Sequence, residues 1–237
     1  MHELQVRYPG LGLFLSASGG LEVKGNICFS GEYRCREITG TYGVTMRIPD
    51  DYPDSPPTVY EPVGDVDRGF RHFMDDGSLC LGAPIEVRRR FSSKRTLLAF
   101  IDDLVVPYFF NYLWMREYGE LPYGELSHGP RGLLEYYNEY FSTGTAQTLE
   151  LVSCLAVRSA RRFKRCPCGA PKKLKDCHGP SLKELRPHSS SQFFRADLEA
   201  IMGVASEDGV RFPRHRLLDG RPRKKRRRKR VRPRRRR

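Results

Sequence analysis

The sequence lacks the features that mark a secreted or membrane-inserted protein. No apolar run reaches the roughly 20 residues that a transmembrane helix needs, and residues 1–7 have no signal-peptide pattern. The seven cysteines are odd in number and show no disulfide-framework spacing. These absences predict a protein of the reducing cytoplasm that does not engage a membrane.

Acidic residues are missing from one end of the chain. Residues 221–237 hold 14 Arg or Lys and no acid. Of the 42 basic residues, this leaves 28 against 28 acidic ones, so the net charge of +14 belongs to this tail. Like charges at such density repel, which predicts disorder. Contact with nucleic-acid phosphates is one use for the tail, and a merely solubilising role is the alternative.

Alternating apolar and polar residues predict two half-buried antiparallel strands, over residues 21–29 and 41–48. A third strand is predicted around Arg34–Ile38, and a short fourth one at Thr58–Glu61. Residues 1–20 begin with a helix-like pattern and pass into a turn rich in Ser and Gly, without a predicted strand. The pattern therefore favours an antiparallel sheet, followed along the chain by helices.

The helices are predicted from caps and from apolar spacing. Thr96 is the predicted N-cap of a helix, which Pro107 should end or kink. Pro130 suits the first turn of another helix, and further helices are predicted around residues 149–157 and 190–203. Residues 83–95 show no periodicity and are predicted to form a loop, either a substrate-facing lid or a solvated run of charge.

The most informative stretch, residues 71–82, reads Arg-His-Phe-Met-Asp-Asp-Gly-Ser-Leu-Cys-Leu-Gly. Its Asp-Gly turn can hold Cys80 at a defined place, because glycine adopts positive φ without steric cost. A thiolate nucleophile needs a partly exposed, electropositive setting, and Arg71, His72 and the run 88–90 are candidates to supply it. The alternative is a buried apolar cysteine with no chemistry.

The residues before this loop carry a family resemblance. Residues 46–60 read Met-Arg-Ile-Pro-Asp-Asp-Tyr-Pro-Asp-Ser-Pro-Pro-Thr-Val-Tyr. A strand, this proline-rich block, a histidine and Leu-Cys-Leu, in this order, resemble the ubiquitin-conjugating enzyme (UBC) family over residues 20–112. The resemblance implies an α+β UBC-like domain over residues 1–145, with a four-stranded antiparallel sheet packed by helices. It also implies that Cys80 forms a thioester and that His72 is the family's loop histidine.

The chain departs from the family at one catalytic position. The family's His-Pro-Asn reads His72-Phe73-Met74, so the asparagine that would stabilise an oxyanion is missing. Backbone N–H groups near Leu81 and Gly82 are candidate replacements. The loop and residues 118–129 resemble bacterial members from anti-phage (CBASS-type) operons, which implies that the transferred C-terminus belongs to a nucleotidyltransferase related to cGAS. His128 either assists the site or caps the next helix.

A second motif places three cysteines and a histidine within residues 166–178. Cys166, Cys168, Cys177 and His178 match a tetrahedral zinc set, and four protein ligands would make the zinc structural. The pattern resembles the SEC-C zinc knuckle found at the end of bacterial SecA. The predicted knuckle covers residues 163–180, and its folding should depend on the metal. Its lysines suit docking to an acidic protein face or to nucleic acid.

Residues outside these motifs are assigned to connecting structure. A helical extension over 146–162 precedes the knuckle, and a short helix with a linker over 181–220 precedes the tail. Three functions compete on this evidence: a cysteine-dependent transferase, a non-catalytic UBC-like binding module, and a nucleic-acid-binding protein that acts through the knuckle and the tail. The surviving Cys80 in its motif favours the first of them.

Overall fold

The protein is an α+β structure with one four-stranded antiparallel sheet, as the sequence predicts. The computed structural model describes residues 2–122, 127–157, 165–212 and 217–218. The predicted basic tail, residues 221–237, lies outside the described residues. The strands follow each other in chain order across the sheet: β1 (Leu11–Leu15), β2 (Leu21–Tyr33), β3 (Arg36–Arg47) and β4 (Thr58–Tyr60).

Two of the predicted sheet details are wrong. No separate strand forms at Arg34–Ile38, because Arg34 and Cys35 take positive φ as the two-residue turn of a long β2–β3 hairpin. β3 then runs unbroken from Arg36 to Arg47. The remaining strand is β1, at the edge beside β2, where the sequence analysis predicted no strand. Its residues Leu-Gly-Leu-Phe-Leu show no alternation of apolar and polar side chains that would have predicted a strand. Of these residues, only Leu11 is buried.

A long helix packs across the sheet and forms the first core. α3 (Leu97–Phe100), a π-helical turn (Ile101–Val105) and α4 (Val106–Tyr118) join into one helix of 22 residues. The fully buried Phe109 ring stacks on Tyr42 of β3 at 4.3 Å between ring centroids. The short helix α1 (His2–Arg7) adds Leu4 to the same core. The 22-residue helix is long and apolar enough to cross a membrane, but its apolar side chains are largely buried in the sheet core.

The start of the long helix is as predicted, and the helix does not end at Pro107. The Oγ1 atom of Thr96 accepts a hydrogen bond from the Ala99 N–H at 3.1 Å, which confirms the predicted N-cap. The helix continues past Pro107 because the π-helical turn lies directly before it and shifts the backbone pairing. The carbonyl of Asp103, four residues before the proline, accepts a hydrogen bond from Arg90 at 3.5 Å.

Residues 83–95 are not a loop: α2 (Pro84–Lys94) forms there. Its two buried apolar side chains serve different cores, since Ile85 packs in the helical core and Phe91 in the sheet core. The sequence of α2 therefore shows no single apolar face at helical spacing, which is the pattern that predicts a helix. The Glu86 carboxylate pairs with Arg89 and Arg90, three and four residues later, at 2.8 Å each.

A second core is entirely helical. It is built from α5 (Gly129–Phe141), α6 (Thr145–Ala156), α7 (Gly179–Leu185) and α8 (Ser191–Glu207), with short 3-10 turns at Leu174–Asp176 and Arg186–His188. α6 packs mainly against α8, and Leu149, Leu151, Val152, Leu198, Ile201 and Met202 are fully buried there. The helices predicted from Pro130, at 149–157 and at 190–203 are all confirmed in type.

Candidate functional site

The loop before Cys80 is a tight turn fixed by its own hydrogen bonds. Gly77 has φ +80°, as the predicted Asp-Gly turn requires. The Met74 N–H donates to the Ser78 carbonyl at 2.8 Å, and the Gly77 N–H donates to the Met74 carbonyl at 2.9 Å. The Ser78 hydroxyl donates to Asp76 Oδ1 at 2.6 Å and thereby lowers the pKa of that carboxyl. The turn is therefore locally determined.

Backbone hydrogen bonds tie the turn to the sheet and to the long helix. The Leu79 N–H donates to the Val59 carbonyl of β4 at 2.8 Å, and the Cys80 N–H donates to the His72 carbonyl at 2.9 Å. The Tyr108 hydroxyl of α4 donates to the same His72 carbonyl at 3.1 Å. Cys80 is partly exposed, so its thiol sits on a rigid support without being lost in the core.

The Cys80 thiol also lies close to the phenol of Tyr108. Burial raises the pKa of Tyr108 above its usual value of 10, and the charge of the Cys80 thiolate raises it further. The Arg68 guanidinium acts in the opposite direction on the same pKa and lies over the Phe73 ring at 4.2 Å. Arg68 is a cation near the loop that sequence reasoning missed, because it stands outside the motif.

The structure brings the two predicted site histidines together. The rings of His72 and His128 meet edge to face at 4.8 Å between centroids, and Phe70 lies 4.5 Å from His72. His128 occupies the N-cap position of α5, but its side chain makes no capping hydrogen bond. Of the two alternatives for His128, the structure shows the contact with His72 and no capping bond from its side chain.

The basic run 88–90 does not supply the positive setting that the sequence suggested for Cys80. Arg89 and Arg90 pair with Glu86, and the Arg88 guanidinium lies over the Phe193 ring of α8 at 5.0 Å. The pKa of Glu86 falls to about 2, because hydrogen bonds from Arg89, Arg90 and Tyr136 outweigh the opposing effect of burial. The run joins α2 to the helical core.

An open cleft of about 410 Å³ adjoins His72. Its main lining residues come from the loop before Cys80 and from one face of α4: Phe70, Arg71, His72, Tyr112, Met115 and Arg116. Aromatic and apolar surface thus forms much of the wall, with two guanidinium groups beside it. The cleft has room for a ligand next to His72.

A second cluster gathers the four predicted metal ligands. The three Sγ atoms of Cys166, Cys168 and Cys177 and a ring nitrogen of His178 all lie within 4.8 Å of one another. The Cys168 and Cys177 Sγ atoms are 3.6 Å apart, and His178 Nδ1 is 3.2 Å from Cys166 Sγ. With Zn–S bonds of about 2.3 Å, a tetrahedral site places sulfurs about 3.8 Å apart. The residues present therefore fit a zinc ion.

The histidine of this cluster is oriented by the end of a helix. His178 Nε2 lies 2.8 Å from the carbonyl oxygen of Phe141. Phe141 is the last residue of α5. When Nε2 carries the proton and donates to this carbonyl, Nδ1 is left as the metal ligand facing the sulfurs. One of the unpaired carbonyls at the end of α5 is satisfied by the same contact.

The metal cluster is packed into the helical core. Cys166 is 4% exposed and Leu174 is 5% exposed, and both belong to that core. The pKa of Cys168 is lowered to about 7 even though burial alone would raise it, because the Ala170 N–H and neighbouring groups stabilise the thiolate. The segment is therefore joined to four helices, whereas the sequence analysis treated it as a small unit of its own.

The sequence-selected residues thus form two sites, one on each core. Cys80, His72 and His128 meet at the sheet core, and Cys166, Cys168, Cys177 and His178 meet at the helical core. Comparison with known protein-family models, with curated proteins and with solved structures found no match to this chain. Only the chemistry of these two sites therefore points to a function.

Proposed function

We propose that this protein is a UBC-like transferase that carries the C-terminus of a partner protein as a thioester on Cys80. The observation that carries the proposal is a partly exposed thiol on a residue whose backbone N–H bonds the His72 carbonyl, while the His72 ring contacts the His128 ring. A nucleophilic cysteine needs this combination of access, rigid placement and a nearby base. A purely structural cysteine would need none of them.

The chemistry proceeds in two balanced steps. The Cys80 sulfur attacks the carbonyl carbon of an activated acyl donor, a thioester or mixed anhydride made by a separate activating protein. The S–C bond forms, the bond to the leaving group breaks, and the thiol proton passes to a nearby base. An amine or water then attacks the thioester, and Cys80 leaves as a thiolate that regains a proton. His72 and His128 are the bases that the proposal assigns to these proton transfers.

Backbone groups after the cysteine are suited to hold the oxyanion. The Met74 side chain is 48% exposed and has no donor. Within the described part of the chain, the N–H groups of Leu81 and Gly82 donate to no protein acceptor. Gly82 has φ +130°, a conformation that side-chain-bearing residues rarely adopt. These two N–H groups can stabilise the charge that develops on the acyl oxygen.

The proposal extends to cofactor, partner and location. Zinc bound by Cys166, Cys168, Cys177 and His178 would be structural, because four protein ligands leave no open position. By the resemblance to anti-phage operon proteins, the acyl donor would be a cGAS-related nucleotidyltransferase in the bacterial cytoplasm. The segment's resemblance to the SEC-C knuckle supports the choice of zinc over other metals.

The test is intact-protein mass spectrometry of the chain purified from its own host. Wild-type protein should carry a protein-sized adduct that thiol reductant removes, and its mass identifies the donor. Cys80→Ser should carry an ester adduct that survives reductant and is cleaved by hydroxide. Cys28→Ser, on an exposed position of β2, is the matched control and should behave as wild type.

Two outcomes would contradict the transferase. Absence of any adduct on both wild type and Cys80→Ser, with the metal still bound, would favour the non-catalytic binding module. An adduct that persists on Cys80→Ala would place the chemistry on another residue.

A further inference from the structure

The cleft beside His72 has a chemical character that the proposed reaction does not by itself require. Its volume of about 410 Å³ falls in the range of about 300–1,000 Å³ that is usual for ligand pockets. His72 lines the cleft, and its carbonyl accepts the Cys80 N–H at 2.9 Å. A ligand in the cleft would therefore contact His72, the residue whose backbone carbonyl is hydrogen-bonded to Cys80.

The walls of the cleft combine apolar surface with positive charge. Phe70 and Tyr112 contact each other at 5.2 Å between centroids, and Met115 beside them is 40% exposed. Arg71 and Arg116 add two guanidinium groups. Among the described residues neither of them has an ion-pair partner, and the Arg116 guanidinium lies 5.8 Å from the Tyr112 ring centre.

Among the described residues that line the cleft, Asp67 is the one carboxylate. Asp67 Oδ1 accepts the Gly69 N–H at 2.7 Å. Two guanidinium groups against one carboxylate leave the cleft electropositive, so an ammonium group would be repelled and an acidic side chain attracted. The aromatic and thioether groups beside them would hold an apolar side chain.

We propose that the cleft binds a peptide segment that pairs an acidic residue with an aromatic or large apolar one. On the proposed function, this segment is the tail of the acyl donor just before the carbonyl that Cys80 receives. The charge of the cleft argues against the other peptide that must approach Cys80, the one that presents an acceptor lysine. The inference rests on the proposed function only for this assignment of the segment, not for the binding.

The probes are fluorescein-labelled peptides that cannot react, because their C-termini are amidated: Gly-Glu-Phe-Gly-Gly and its counterparts Gly-Lys-Phe-Gly-Gly and Gly-Glu-Ala-Gly-Gly. Fluorescence anisotropy is measured with the full-length, zinc-loaded protein under reductant. The Glu-Phe peptide should bind most tightly. Arg116→Gln should weaken it about tenfold, the usual effect of losing a charge-assisted hydrogen bond, and Met115→Glu should abolish binding.

The matched control removes one positive charge elsewhere. Arg131→Gln lies on α5, does not line the cleft, and should leave the affinity within twofold of wild type. Equal affinity for the Glu and Lys peptides would overturn the inference. Equal losses in Arg116→Gln and Arg131→Gln would also overturn it, because general charge attraction, including that of residues 221–237, would then account for binding.

The two proposals fail separately. Peptide binding that survives in Cys80→Ser, in a protein that never carries an adduct, would support the cleft and remove the transferase. An adduct on Cys80 in a protein that shows no preference among the peptides would support the transferase and remove the cleft as a binding site.

Discussion

The two cores of this protein use cysteine in opposite ways. At the sheet core, Cys80 follows a hydrogen-bonded turn and is partly exposed, and its backbone bonds that of His72, whose ring contacts His128. At the helical core, Cys166, Cys168 and Cys177 converge within 4.8 Å of each other and of His178. A single thiol beside bases is suited to nucleophilic chemistry, while converging thiols are suited to a metal.

The cores also differ in how their loops are secured. The Cys80 turn is held by short-range backbone bonds and by one strand. The segment 166–178 is held against the helical core by the contact of His178 with Phe141 and by burial of Cys166. If Cys166, Cys168, Cys177 and His178 hold a metal, the stability of the helical core should depend on it and that of the sheet core should not. Four predictions test this difference, in order of expected effect.

The largest effect is expected from Cys177→Ser. Losing one of four ligands should release about one zinc per chain, and structural zinc contributes on the order of 10 kcal/mol in small zinc domains. Hydrogen exchange should show α6 and α8 losing protection while β2 and β3 keep theirs. Bound zinc is counted by elemental mass spectrometry, with Cys28→Ser as control. Equal loss of protection in both cores would end the distinction.

The next effect comes from removing one buried ring in each core. Phe109 is 0% exposed in the sheet core and Phe194 is 1% exposed in the helical core. Each Phe→Ala variant should cost about 3–5 kcal/mol in the free energy of unfolding of its own core. Urea unfolding followed by hydrogen exchange should show the loss in one core only. A single shared transition for both variants would mean that the cores unfold as one unit.

A pH effect of its own is expected from a buried carboxyl in the helical core. Asp197 is buried and accepts the Tyr137 hydroxyl at 2.6 Å, and burial raises its pKa to about 6 from 3.8. Because the carboxyl pKa is raised in the folded state, the contribution of Asp197 to stability is greatest below pH 4 and falls as pH rises toward 6. About two units correspond to roughly 3 kcal/mol.

Asp197→Asn removes this titration and keeps an acceptor for Tyr137. Its unfolding free energy should change about 3 kcal/mol less than that of wild type between pH 4 and pH 6, in urea titrations followed by far-ultraviolet circular dichroism. Parallel pH profiles for the two proteins would show that burial of this carboxyl has no energetic consequence.

The smallest effect concerns the helix that joins the cores. The pKa of Glu86 is lowered to about 2 from 4.5, so its contribution is complete above pH 4.5 and is lost as pH falls toward 2. Because its arginine partners are partly exposed, Glu86→Gln should cost only about 1–2 kcal/mol at pH 7. Glu139→Gln, at an exposed position on α5, is the control.

This last variant also sharpens the comparison itself. If α2 couples the cores through Glu86, the urea transitions of the two cores should move further apart in Glu86→Gln than in wild type. Transitions that stay coincident would assign the coupling to other contacts of α2, such as Ile85.

Much of both sites could be predicted from sequence, because their structure is local. The Asp75–Ser78 turn, the Thr96 cap and the convergence of four ligands within residues 166–178 each depend on residues close together in the chain. Turn chemistry and ligand spacing act over a few residues, so they can be read without knowledge of the rest of the fold.

The elements that the sequence pattern did not predict are stabilised by residues far away in the chain. β1 exists because β2 offers its backbone edge, and α2 exists between two cores that its own residues do not reveal. The run 88–90 looked available to Cys80 until Glu86 and Phe193 were seen to engage it. The sequence of one segment does not show which distant residues will pack against it after folding.

The sequence by itself determined the α+β class, the turn that presents Cys80 and the four residues that can hold a metal. Only the tertiary structure decided that His128 meets His72, 56 positions earlier in the chain, and that His178 is anchored to the end of α5. The physical reason is that turns and ligand clusters are stabilised by short-range hydrogen bonds and spacing. Contacts between distant segments are fixed by which apolar faces are buried together.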